Sequence, residues 1–333
     1  MSQEPHHSDA QKCDYSDTER RHIGKAGPLQ GAARRQGMRQ LVGHLASFSA
    51  YAIFGLNIIL CKDIASEGDL SPMLLFTLRA FCAGGLFWLL SLFTPREAVP
   101  PADLLRMVGA GMLGLVIPQL TFLTAITMTA PIDLSVVQST TPIMTMFVAA
   151  IFLKEPISWQ KVGGVALSFA GVLWLILQSA HAAGAVQTRP LGIVLTIVNT
   201  VSFALYLGVC RPVIQRYSVV TLMKWMFLFA FVVSLPFSVG DLMALDVRAV
   251  PAPVWWEVAY LILFATFIAY FLIPVGQQRI RPTLVSMYGY LQPIIATVVG
   301  VAVGMDRLTV MKVLAAVCVF AGVAVVNRSP KKE

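Results

Sequence analysis

The sequence predicts an all-α polytopic membrane protein, with ten transmembrane helices arranged as two inverted five-helix repeats. Three observations carry that expectation. Hydrophobic residues make up 57% of the chain and charged residues 13%, about half the roughly 25% charge of an ordinary soluble domain. Helix-length apolar runs recur from Leu41 almost to the C-terminus, and about 20 such residues cross a hydrocarbon layer of roughly 30 Å. Finally, the chain matches itself at an offset of 151 residues, and a self-match across successive elements marks an internal duplication.

The duplication is clearest around Leu134–Leu153, an apolar run interrupted by the polar knot Gln138-Ser139-Thr140-Thr141-Pro142. At the offset of 151, Pro131 meets Pro282, Pro142-Ile143 meets Pro293-Ile294, and Phe169-Ala170-Gly171-Val172 meets Phe320-Ala321-Gly322-Val323. The first helices of the halves match at an offset of 149, Phe54 to Lys62 lying over Phe203 to Arg211.

Residues 1–40 come first and are polar and basic. No apolar segment follows a short basic start, so this is no signal peptide, and it reads as a disordered cytoplasmic tail. His6-His7 in it reads as two solvated histidines, so no metal site is expected. Spans follow at 41–61, 72–93, 104–128, 132–153 and 158–178, forming a first repeat over 41–178. The second set falls at 190–211, 218–239, 254–276, 282–303 and 308–327, a repeat over 190–327, with a short cytoplasmic tail at 328–333.

Counting basic residues by side puts 18 of the 25 Lys and Arg in the tails and connections on one side, five on the other, and Arg79 and Lys224 within spans. Because cytoplasmic loops collect Lys and Arg, both termini are expected in the cytoplasm. An odd number of spans per repeat then forces the second copy into the membrane upside down. This is the usual build of secondary transporters. The five cysteines are odd in number and mostly sit in apolar runs, which predicts core residues and no disulfide framework.

Phe54-Gly55, Leu78-Arg79-Ala80-Phe81, and the segment from Thr140-Thr141-Pro142 through Leu153-Lys154-Glu155-Pro156 to Ala170-Gly171-Val172 resemble the EamA-like branch of the drug/metabolite transporter superfamily. The second copy, Tyr288-Gly289-Tyr290-Leu291-Gln292-Pro293 to Ala321-Gly322-Val323, is similar. The resemblance spans about 41–327. It implies a bacterial-type inner-membrane exporter of small metabolites, amino-acid-like or otherwise small and in some cases anionic. It also implies a central cavity ringed by helices 1–4 and 6–9.

Candidate residues are those polar within the spans. Asn57 pairs with Tyr206 at the 149 offset and Gln119 with Tyr270 at 151, so both pairs are expected to face the cavity. Gln138, Thr141, Tyr290 and Gln292 join them, since amides inside a membrane need partners. Pro142 and Pro293 each remove a backbone hydrogen bond, predicting a kink at matched depth and a hinge in each half. Arg79 and Lys224 have two readings, an anion site or shallow side chains snorkelling to the interface. His44, near the end of its span, reads as interfacial.

No His-Glu-x-x-His, Gly-x-Ser-x-Gly or phosphate-binding loop occurs in the chain, so an enzyme and a bound cofactor are not expected. A small solute and the bilayer are the expected partners. The basic residues are explained by the cytoplasmic side, so nucleic acid is not invoked. Proton or ion coupling and a homodimer stay open, as do a channel and a membrane-embedded scaffold as alternatives to a carrier.

Overall fold

The computed structural model describes residues 34–57, 60–61, 64, 70–129, 134, 137–180, 189–248, 250–302 and 310–329. Contacts divide the chain into two units, 1–42 and 43–333. In the first, residues 34–42 are helical and almost all exposed, so helix begins before the expected boundary at 41; the rest of the expected tail, 1–33, lies outside the described residues. Everything below concerns the second unit.

Regular structure among the described residues of that unit is helical throughout. We number its main helices α1 (43–57), α2 (Pro72–Ser91), α3 (Pro101–Ile126), α4 (Thr141–Leu153) and α5 (Trp159–Ala180). The second half gives α6 (Pro190–Val209), α7 (Val219–Ala244), α8 (Ala252–Gln277), α9 (Pro282–Met287 continued by Leu291–Ala302) and α10 (Val310–Arg328). A six-residue helix, Arg211–Arg216, links α6 to α7. Ten spans were expected; five of the described helices, α2, α3, α6, α7 and α8, are long and apolar enough to cross a membrane. Within α4 and α10 the apolar stretches are shorter, Thr141–Leu153 and Val313–Arg328.

Local chemistry sets the helix starts. Ser71 and Ser218 hold equivalent places before α2 and α7, and each hydroxyl accepts from a backbone N–H three residues on, Leu74 and Thr221. Proline opens α2, α3, α6 and α9, where its missing N–H costs nothing. The end of α4 is unusual: Lys154 takes φ 52°, the left-handed conformation glycine normally supplies. That turn sends Glu155 inward, where it is buried.

The duplication is visible in the packing. Equivalent helices meet as pairs, α2 with α7, α4 with α9 and α5 with α10. The α5–α10 seam is made of small residues: a Cβ on Gly164 would come within 2.7 Å of the Gly322 carbonyl, and one on Gly171 within 2.8 Å of the Ala315 carbonyl. Ser168 Oγ donates across the seam to the Val319 carbonyl at 3.0 Å. In lipid, where hydrophobicity does not drive helices together, such close backbone approach is what holds them.

Both α3 and α8 contain π-helical stretches that the sequence did not announce, Met112–Val116 and Leu261–Ile268. At the offset of 151 residues the first maps inside the second. Such stretches leave backbone carbonyls in need of other partners, and here side chains supply them. Ser202 Oγ donates to the Leu113 carbonyl at 2.9 Å and Thr266 Oγ1 to the Leu261 carbonyl at 2.6 Å, while Asn199 Nδ2 donates at 2.6 Å to the Pro118 carbonyl in the α-helical turn just beyond Met112–Val116.

The seam makes a direct prediction. In Gly322→Ala the new methyl meets Ser168 and the Gly164 backbone, neither of which is a flexible tip, so thermal unfolding in detergent should show a loss of about 1–3 kcal/mol. Gly163→Ala, one position from the seam with open space around it, should change nothing measurable; equal losses in the two variants would refute the seam.

Candidate functional site

Arg79 lies on α2 with 1% of its surface exposed. Its Nε donates to Thr266 Oγ1 on α8 at 2.8 Å, and its Nη1 to Gln119 Oε1 on α3 at 3.1 Å. Gln119 Nε2 in turn donates to the Tyr270 hydroxyl oxygen on α8 at 2.6 Å. Nη2 is buried without a partner. The group therefore joins two side chains of the first half to two of the second. It is held by the π-helical stretch of α8, since the Thr266 hydroxyl that accepts from Arg79 is fixed by its own bond to Leu261.

Aromatic residues wall this group. Tyr51, Phe54 and Tyr270 follow one another edge-to-face, with ring centroids 5.9 and 5.5 Å apart, and Tyr270 meets Phe227 at 5.8 Å. Tyr206 lies buried on α6 with its ring over Gly114, where a Cβ would approach within 2.6 Å; the π-helical stretch of α3 and its glycine make the room. The hydroxyls of Tyr51, Tyr206 and Tyr290 are all buried without a partner.

The other expected residues fall elsewhere. Asn57 is buried in α1 and its Oδ1 accepts a long contact of 3.5 Å from Cys61 Sγ. Gln138, Thr141 and Gln292 are half-buried. Thr141 Oγ1 donates to the Gln138 carbonyl at 2.6 Å, occupying the acceptor that Pro142 would have left free. Lys224 sits apart from Arg79: half-buried on α7, its Nζ lies 5.0 Å from the centre of the Trp88 ring. The four expected cysteines described, Cys61, Cys82, Cys210 and Cys318, are free. His44 shares a 2.9 Å hydrogen bond between Nδ1 and the Tyr288 hydroxyl.

The prolines mark breaks where kinks within continuous helices were expected. Ser139-Thr140 form a turn and α4 starts at Thr141, so Pro142 stands in its first turn. In α9 a 3-10 turn at Tyr288–Tyr290 precedes Leu291, and Pro293 is the third residue after it. The physical reason is shared: proline has no N–H to donate to the carbonyl four residues back, so the helix cannot run on unbroken through it, while proline itself is well placed in a first turn. At the 151 offset the two breaks overlap.

Sequence reasoning missed Tyr51 and Thr266. Tyr51 looks like one more apolar residue of its run, and Thr266 offers no signal beyond a hydroxyl in a nearly uniform apolar stretch.

A second polar assembly ties the halves at one end of the bundle. Glu155, 8% exposed, takes Lys161 Nζ at 2.7 Å and Arg211 Nη1 at 3.1 Å, while Lys161 is 1% exposed. Asp103 takes Arg106 and Arg216, each at 2.7 Å, and the Tyr217 hydroxyl at 2.5 Å. That bond to a carboxylate lifts the Tyr217 phenol above its ordinary titration range. The Glu97 carboxylate accepts from Ser218 N and Oγ, and Gln278 Nε2 donates to the Ile214 and Tyr217 carbonyls. Three carboxylates of the first half thus clasp the single segment Arg211–Ser218 of the second.

The chain matches the profile of the EamA-like transporter family twice, over residues 41–177 and 190–328. Among curated proteins it is similar to the uncharacterized transporter YetK of Bacillus subtilis, 20% identical over 86% of this chain and 87% of that one. An uncharacterized transporter of Archaeoglobus fulgidus is 24% identical over 78% of this chain and 90% of its own length. The uncharacterized inner membrane transporter YedA of Escherichia coli is 25% identical over 84% and 89%. A crystal structure of a protein superposes with a TM-score of 0.69 at 17% identity, over 87% of this chain and 96% of the other; at that identity the likeness concerns the fold.

Neutralising the clasp tests its electrostatics. Glu155→Gln leaves Lys161 charged and buried without a counter-ion, which should cost about 3–5 kcal/mol in denaturant unfolding. Adding Lys161→Met should restore most of that loss. Arg106→Gln, whose side chain is 66% exposed, should change stability by less than about 1 kcal/mol; a null effect of Glu155→Gln would contradict the pairing.

Proposed function

Because the chain belongs to the EamA-like transporter family, we propose that it is a secondary carrier exporting small metabolites by alternating access across an inner membrane. Its ten spans form two inverted repeats with both termini in the cytoplasm. The observation that carries this reading is the buried group Arg79–Gln119–Tyr270–Thr266, two residues from each half. A site shared by two repeats is exposed to one side or the other as the repeats rock.

The clasp supports the same reading. Its members come from the connections between α2 and α3, α4 and α5, α6 and α7, and α8 and α9, where Lys and Arg accumulate. With this end tied shut, a solute at the central group communicates with the opposite, external side. Export then begins when the Glu155, Asp103 and Glu97 contacts release Arg211–Ser218 and the cytoplasmic end opens. The breaks at Pro142 and Pro293 let α4 and α9 bend as it does so. Arg79, Gln119 and Tyr270 contact the solute, with Tyr206, Tyr290, Asn57, Gln138, Thr141 and Gln292 around it.

Inverted inner-membrane vesicles containing the protein should take up members of a radiolabelled solute panel with a rate that saturates with concentration. Imposing a proton gradient separates coupled from uncoupled transport. A flux that rises linearly without saturation would indicate a channel and overturn the carrier reading.

A further inference from the structure

We infer that the central site selects solutes carrying a single carboxylate, and that Arg79 Nη2 is the arm that reads it. This rests on the carrier reading above for its biological meaning, though the site itself is argued from geometry.

Arg79 is buried at 1% exposure, and its two hydrogen-bond partners, Thr266 and Gln119, are neutral. Among the described residues no carboxylate pairs with it; the ion pairs involve Asp103 and Glu155 at the clasp. A guanidinium stays protonated in proteins, so among the described residues no carboxylate at ion-pair distance offsets its positive charge. Burying such a charge costs several kcal/mol unless an opposite charge and hydrogen bonds offset it. A bound monoanion restores neutrality. A neutral solute leaves the charge as it was, and a dianion replaces one uncompensated charge with another.

Geometry points the same way. Two edges of the guanidinium are tied down by α3 and α8, fixing its plane, while Nη2 remains with no partner. An oriented donor with nothing to donate to is the arrangement that favours a carboxylate contact, because the ordering cost is already met. Independent of Arg79, the hydroxyls of Tyr51 and Tyr206 are also buried without partners. Tyr51 is joined to Tyr270 through the ring of Phe54, and Tyr270 to Arg79 through Gln119. Buried polar groups in native proteins are nearly always satisfied, and unsatisfied phenols on the aromatic wall are further donors of the kind that a carboxylate's oxygens accept. Phe54, half-buried between Tyr51 and Tyr270, gives the rest of the solute an apolar wall.

Lys224 takes no part. Its ammonium lies over Trp88, where an exposed ring face supports the cation.

The test uses the purified full-length protein in detergent and follows its thermal unfolding. At about pH 8.5, where inorganic phosphate is almost wholly the dianion and serves as that control, acetate, butyrate and benzoate are each titrated beside the matching primary amide. At least one acid should half-saturate at a concentration on the order of ten-fold below its amide, a difference of about 1.4 kcal/mol. Arg79→Gln should abolish that preference, Arg79→Lys should keep part of it, since a point charge replaces a fork, and Lys224→Gln should leave it whole. Tyr206→Phe should weaken binding of the acid while leaving the amide unchanged.

If no acid is preferred over its amide in the unsubstituted protein, or if phosphate binds more tightly than every acid, the inference is overturned. That comparison needs no variant, so a folding failure in Arg79→Gln does not shield the claim. Retention of the preference in a folded Arg79→Gln protein overturns it equally. Should acid preference stand while vesicle flux fails to saturate, the carboxylate site survives and the carrier reading falls; the converse result separates them the other way.

Discussion

The hydrogen bond from Gln119 to Tyr270 joins the same position in the two copies of the repeat, 151 residues apart. Equivalent residues of two related halves can touch only near the axis that relates them. Ser168 and Val319, also separated by 151 residues, touch across the α5–α10 seam. These contacts place the axis through the α3–α8 and α5–α10 pairs. The Arg79 group therefore lies where the two halves meet, and the clasp joins the halves a second time at the bundle end.

Polar groups inside a bilayer divide into those that repair the backbone and those that await something else. With no water to satisfy them, carbonyls freed by π-helical turns need side-chain donors. Ser202 and Thr266 serve the Leu113 and Leu261 carbonyls in this way, and Asn199 serves the Pro118 carbonyl just beyond the first stretch, so Asn199 and Ser202 are accounted for by the fold alone. Thr266 has a second role in accepting from Arg79. Arg79 Nη2 and the hydroxyls of Tyr51 and Tyr206 repair nothing, and these are the groups on which the proposed carboxylate site draws.

Much of this was legible in the sequence, for reasons that explain what was not. Duplication is a pattern of identities, so the equivalence of Gln119 and Tyr270 could be read from the offset before any coordinates, whereas their contact could not. Arg79 and Lys224 were indistinguishable, being long cations at similar depth in apolar runs. Their fates diverge because Thr266 and Gln119 stand beside one and Trp88 beside the other, and those neighbours come from distant parts of the chain. Proline announced the irregularities in α4 and α9, yet Thr141 takes up the Gln138 carbonyl and moves the break to just before Pro142. The π-helical stretches left no trace in composition. Glu155 and Asp103 looked like ordinary loop carboxylates, and only the fold shows them gripping the same segment.

In the proposed carrier cycle the halves separate at the clasp while still meeting at the Arg79 group. Pairs of spin labels at Leu105→Cys and Gln215→Cys, both exposed positions flanking the Asp103–Arg216 contact, report that end directly once the native cysteines are replaced. Double electron–electron resonance in proteoliposomes should give one short distance at rest. A second, longer population should grow during solute transport, and should predominate when Asp103→Asn and Glu155→Gln loosen the clasp. A single unchanged distance under all three conditions, with flux proceeding, would contradict the account.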